Sequence, residues 1–257
     1  VKKTILIAPF EGPFAAALAD EARAAGWAVL LARTDAPAQA KPTGKPAAGK
    51  EAAPLLEPAE PRDFAALPWN PSSYISTSSL FLAGKNALGE LDAIVLLAES
   101  GNARPDLIEG RPGELEAYLT RSAAGPAFLV RETVRSFEAR RAPGRDSGRD
   151  AVRDGALVFV DREADSPASP AGSAAAAGSG PSAGPAAALA AGAFRGLAEG
   201  VFAMSREASW EAFGVIDRTG DDAELARFVL RLLEAKKSGK SGRWLRHTGK
   251  SGLFGKF

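Results

Sequence analysis

Apolar residues in this chain fall into short continuous runs that alternate with longer stretches of helical spacing. Thr4 to Ala8 is an unbroken β-rich run, the pattern of a strand buried on both faces. Pro13 to Ala25 is alanine-rich and opens on Pro, which suits a first helical turn because its missing N–H would have no partner there. Gly26 ends that helix and Trp27 to Ala32 is a second apolar run, so the chain opens as a βαβ unit. The pattern then predicts a helix over 72–88, and a buried strand over 91–98 that is apolar on both faces after Asp92. A long helix follows over 112–141, then a strand from Ala156 to Val160 ending at Asp161. A helix over 186–208, a short strand over 213–216 and a helix over 221–237 complete the series. The last helix is acidic in its first turn and basic in its last, which complements its dipole. Buried strands alternating with helices predict the α/β class: a Rossmann-like doubly wound parallel sheet, in a single domain over 1–257.

Three segments break the periodicity. Residues 36–62 are rich in Pro, Ala and Lys and read as a disordered surface insertion. Apart from Asp165, residues 165–186 are only Ala, Ser, Gly and Pro, a low-complexity loop with almost no chemical functionality. Residues 248–257 form a basic tail, and the charged stretch 140–154 reads as a solvated connector.

Composition narrows the chemistry mainly by exclusion. The net charge of +1 leaves no global field for nucleic acid or an acidic surface, so any such partner would need a local patch. There is no cysteine, which removes disulfides, thiolate metal sites and cysteine nucleophiles. His247 is the only histidine, so a Ser-His-Asp triad would have to use it, and a two-histidine metal site within one chain is impossible. The charged start, Val1-Lys2-Lys3, precedes an apolar run that stops at Pro9, too short for a signal peptide. No stretch approaches the roughly 20 apolar residues of a membrane span, so the expectation is a soluble, cytoplasmic protein without a membrane partner.

Two constellations carry candidate chemistry. Glu99, Asp161 and Asp217 close predicted strands, at the edge where open parallel sheets bind ligands; they would converge on Mg²⁺ or form an acid/base pair, or else simply cap the following loops. From Lys236 onward the chain holds lysines and arginines without an acid, interleaved with Trp244, Phe254 and Phe257. That is either a stacking surface for single-stranded nucleic acid or an edge strand with a solvated tail whose aromatics pack on a neighbouring subunit. Gly-Lys-Ser-Gly occurs at 239–242 and 249–252, but neither the upstream glycine nor the following helix of a phosphate loop is present.

In order and spacing the chain resembles the short-chain dehydrogenase/reductase (SDR) family over nearly its whole length. Thr4-Ile5-Leu6-Ile7 through Ala19 fits that family's first strand, turn and helix; Gly26 to Arg33 its second strand; Leu91 to Ala98 its fourth. Gly125-Pro126-Ala127-Phe128-Leu129 resembles the middle of its long fifth helix, Phe194-Arg195-Gly196-Leu197 the middle of its sixth, and Ser241 to Arg246 its terminal strand.

The departures fall on the functional positions. The family's glycine-rich turn brings backbone N–H groups to a dinucleotide pyrophosphate. Its three glycines fall here on Pro9, Pro13 and Ala15, with only a displaced Gly12. The family's Asn-Asn-Ala-Gly is Leu96-Leu97-Ala98-Glu99, and its adenine-contacting acid falls near Pro68. Arg33 stands where the family often places a basic residue for a 2′-phosphate, or else is a surface charge. Gly12 and Arg33 are therefore the two candidate contacts for NAD or NADP. In the family a Tyr four residues before a Lys donates the proton, a Ser orients the carbonyl and an Asn holds a relay water. The register places Ala187 and Ala191 at the Tyr and Lys positions, Ala174 near the Ser and Ser122 at the Asn. No shift of register restores the pair, because residues 119–235 contain neither Tyr nor Lys.

These residues lead to the expectation of a catalytically degenerate SDR-like pseudoenzyme, without catalytic residues, metal or cofactor, serving as a binding, scaffolding or regulatory subunit. The alternative is an NAD(P)-dependent oxidoreductase with a nonstandard site. The resemblance also implies a homo-oligomer, or pairing with a related SDR-like subunit, through the helices over 112–141 and 186–208.

Overall fold

The computed structural model describes residues 2–34, 63–98, 108, 110–140, 155–162, 184–235 and 241–249. The segment 36–62, most of 165–186, residues 250–257 and Glu99 lie outside them. Seven strands form one all-parallel sheet in the order β3-β2-β1-β4-β5-β6-β7. The strands are β1 (Thr4–Ala8), β2 (Ala28–Thr34), β3 (Phe64–Trp69), β4 (Ala93–Leu97), β5 (Ala156–Arg162), β6 (Glu211–Asp217) and β7 (Trp244–His247). The helices are α1 (Gly12–Ala24), α2 (Tyr74–Leu88), α3 (Pro112–Leu119), α4 (Gly125–Ala139), α5 (Pro185–Ser205) and α6 (Asp222–Glu234). This is the expected doubly wound Rossmann-like fold.

Central strands follow directly from their composition. Every residue of β1 and β4 is buried, and alternation along β1 sends Ile5 and Ile7 to one face and Leu6 and Ala8 to the other. The first face is covered by α1 and α6, the second by α2, α4 and α5. Steps β4→β5 and β6→β7 run the same way across the sheet, yet their connecting helices lie on opposite faces, so the two crossovers have opposite hands. No continuous apolar run marks β3. It is an edge strand, exposed at alternate positions, and its Pro68 is tolerated because one side of the ladder is open.

The helix expected over 112–141 is present, but residues Thr120–Ala124 form a π-helical turn between α3 and α4. The cause is local. Pro126 has no N–H to donate to the carbonyl of Ser122, and its ring crowds that carbonyl, so the helix widens just upstream. Gly125 lies against Pro71, and a Cβ there would sit 2.6 Å from Pro71 Cβ.

One expectation changes. Although no stretch was expected to span a membrane, α5 is long and apolar enough by length and composition to do so. Its apolar content has a use within the fold: Phe194, Ala198, Val201 and Phe202 are buried against the sheet.

Candidate functional site

Strand order reverses between β1 and β4, and the crevice above their C-terminal ends is where an open α/β sheet offers a ligand site. Ala8 and Leu96 form its floor, with Trp69, Pro126 and Leu129 as apolar walls. The part lined by these described residues has a volume of about 20 Å³. That is room for about one water molecule. Polar groups reach it from three directions: Glu11 from the turn before α1, Thr34 from the end of β2, and Arg121 and Ser122 from the π turn. The Thr34 hydroxyl donates to Glu11 Oε1, bridging the β1 and β2 sides. Ser122 Oγ donates to the Tyr118 carbonyl at 2.8 Å, and Trp69 Nε1 donates to Thr77 Oγ1 at 3.0 Å.

The turn between β1 and α1 is short and closely tied down. Phe10 N donates to the Ala32 carbonyl at 2.7 Å, pulling the turn onto β2. Gly12 opens α1 with φ 77°, a left-handed conformation that glycine adopts without strain. Pro13 follows it in the first turn, and the methyl of Ala15 is fully buried. Gly12 and Arg33 are both exposed; Arg33 stands on β2 in register with Pro68. The two candidate cofactor contacts are thus at the rim of the crevice, not in its lining.

With this topology in view, solved structures of the same fold can be compared with the chain. An SDR-family oxidoreductase from Brucella ovis, in complex with a partially ordered NAD, superposes with a TM-score of 0.64 at 17% identity, covering 96% of this chain and 100% of that one. This is a short-chain dehydrogenase/reductase fold. An SDR glucose/ribitol dehydrogenase from Brucella melitensis gives a TM-score of 0.65 at 14% identity over 96% of this chain and 95% of its own. A metagenomic short-chain oxidoreductase in complex with NADP gives 0.62 at 16% identity, over 96% and 97%. At such identities the likeness is one of fold. No protein-family model matches the sequence, and no curated protein matches it.

On the SDR scaffold, Ala187 and Ala191 lie one turn apart on α5, Ala187 buried and Ala191 half-buried. Arg195, a further turn along, forms an ion pair through Nε with Asp161 Oδ2 at the end of β5. Ser122 falls in the π turn and lines the crevice, whereas Ala174 lies outside the described residues. The spacing of Ala187, Ala191 and Arg195 at every fourth residue was the one sequence signal that α5 turns a basic residue toward the C-terminal edge of the sheet.

Of the three carboxylates, Asp161 and Asp217 do not converge, and Glu99 lies outside the described residues. Phe159 and Asp161 belong to the face under α5, where Arg195 meets Asp161. Val215 and Asp217 belong to the opposite face, under α1 and α6. There Asp217 Oδ1 is 2.9 Å from His247 Nδ1 and accepts from the Thr219 hydroxyl at 2.8 Å and the Thr219 N–H at 3.1 Å. Arg162 lies 3.7 Å from Asp217 Oδ2 and 2.7 Å from Asp222 Oδ1, its guanidinium over the Phe14 ring. Burial raises the Asp217 carboxyl, but the hydrogen bonds from His247 and Thr219, with the charge of the imidazole, outweigh it and hold the group below the usual Asp range. A shared Mg²⁺ or acid/base pair from Asp161 and Asp217 is therefore ruled out by the strand pleat. Among the described residues no group of three His, Asp or Glu side chains is placed to hold a metal. The hydroxyl beside His247, Thr219 Oγ1, is 3.5 Å from the same Nδ1 that faces Asp217, so these three residues do not form a relay through the ring.

Proposed function

We propose that this chain is a catalytically degenerate SDR-like protein, a cytoplasmic binding, scaffolding or regulatory subunit that does not turn over a carbonyl or alcohol. The observation that carries this reading is the lining of the crevice, apolar at Ala8, Leu96, Trp69, Pro126 and Leu129, beside a helix start that carries Pro13 and the buried methyl of Ala15. Sequence supports it independently, since residues 119–235 supply no Tyr or Lys for proton transfer. Calorimetric titration of the full chain with NADH and NADPH tests it. The expected dissociation constants are well above about 1 µM, and micromolar binding with turnover would overturn the reading. A second reading, a nonstandard NAD(P)-dependent oxidoreductase, is favoured by the exposure of Arg33 at the end of β2, and by relatives of the same fold that carry NAD or NADP. Binding of NADPH alone, lost in Arg33→Ala, would select it.

A subunit role needs a partner surface, and α5 offers one. Its outer face carries Ala188, Gly192, Ala193, Gly196 and Gly200, flanked by Leu189 and Met204 at 56% and 55% exposure. Small residues let another helix approach closely, and the two large apolar side chains gain from leaving water. We place a second copy, or a related SDR-like subunit, against this face.

A further inference from the structure

We infer that the π turn is a one-residue register device, locked by Pro126, which decides the side chains that the α3–α4 helix turns toward the crevice and toward α5. Buried positions recur along that helix at Tyr118, Ser122, Pro126, Leu129, Thr133 and Phe137. The span from Tyr118 to Phe137 is one residue longer than five α-helical turns of about 3.6 residues each. The turn at Thr120–Ala124 absorbs the extra residue. One buried stripe thereby serves two partners: Leu129 and Phe137 pack on the sheet, and Tyr118 packs with Ala186 and Ala190 of α5. A second stripe lies one residue on. In a regular helix continued back from α4, α3 would be rotated by about 100° and Leu119 would take the place of Tyr118. Leu119 is apolar and already half-buried against the Tyr118 cluster, so α3 offers α5 an apolar side chain in either register. The registers differ in what they expose. Tyr118, now 3% exposed, would take the direction of Ala117, which faces solvent. Arg121 would turn with it toward the direction of Thr120, which does not line the crevice. Pro126 selects the wide register, because in the regular one it leaves the Ser122 carbonyl without a donor and presses its ring against that oxygen. The device sets which side chains meet a ligand in the crevice, whatever that ligand is, and so stands apart from the proposed function.

Two changes to the full-length chain test the register separately. Pro126→Ala removes the lock and keeps the extra residue; deletion of Ala123 removes the extra residue and keeps the lock. Either change alone is expected to turn Tyr118 out of the α5 contact, and both together to return it, since a regular helix one residue shorter again presents Tyr118 to α5. The chain has two tyrosines, so 3-fluorotyrosine labelling gives two ¹⁹F resonances, and Tyr74→Phe identifies the other. The shift of the Tyr118 resonance between H₂O and D₂O should be small in the parent, rise to that of an exposed tyrosine in each single variant, and fall back in the pair. Denaturant unfolding gives a second measurement: the pair should be more stable than either single variant, a comparison that holds even if one of them does not fold. The inference is overturned if Tyr118 stays buried in folded Pro126→Ala. It is equally overturned if the pair leaves Tyr118 exposed or is no more stable than the weaker single variant, since the helix would then have come loose and not changed register.

Discussion

At the scale of single residues, the side chains that carry charge at the top of the sheet are engaged with one another. Asp217 is 2% exposed and His247 6%, so this pair is a buried contact that ties β7 to β6. Removing the imidazole takes away one partner of a carboxylate that keeps Thr219 and Arg162; His247→Ala is expected to lower stability by about 1–2 kcal/mol, read from the urea midpoint. Because the folded Asp217 holds its carboxyl below the unfolded value, it binds fewer protons than the unfolded chain. Its contribution is complete above the ordinary Asp range near pH 3.9 and is lost as pH falls through the depressed value. The parent protein should therefore lose stability on acidification in that window, and Asp217→Asn should lose less. An equal acid response in both would remove Asp217 as the cause.

Elements are positioned by close approaches that the composition does not advertise. The π turn brings Arg121 and Ser122 to the crevice, and α4 can then pass Pro71 only because Gly125 has no side chain. Gly125→Ala would press a methyl into that proline and its backbone, and is expected to destabilise by about 1–3 kcal/mol despite the better helix propensity of Ala. Denaturant unfolding measures it, and a stabilised variant would contradict the packing. A similar restraint holds at the other edge, where Gly214 of β6 lies under the Trp244 ring of β7. Edge strand β3 lacks such a marker, which is why alternation alone left it unseen.

For the whole molecule, the open question is assembly, and the structure sharpens which residues to test. Ala190, in an alanine-rich helix that looked equally small on all sides, packs in a cluster with Tyr118 and Ala186 and so belongs to the interior. Ala193 is exposed. If α5 mediates association, Ala193→Arg should convert an oligomeric mass to a monomeric one in light scattering with the circular-dichroism spectrum unchanged. A monomeric parent at micromolar concentration would leave only pairing with a different subunit, and an unchanged oligomer in the variant would remove this face from the interface.

The order of buried strands and amphipathic helices was enough to determine the fold class and the place of β1, β2, β4, β5 and α6, because a strand buried on both faces must be apolar throughout. It also determined which side chains are missing from an interval: residues 119–235 hold neither Tyr nor Lys in any register. Tertiary structure alone decided how the remaining polar groups are shared. Asp161 and Asp217 close neighbouring strands, yet the register pairs Arg162, not Asp161, with Asp217, and the pleat sends the two carboxylates to opposite faces. Likewise Glu11 and Thr34 are far apart in sequence, and only the parallel pairing of β1 with β2 brings them across one crevice. Which side chains face each other depends on register and face, which are properties of the packed sheet and not of any single segment.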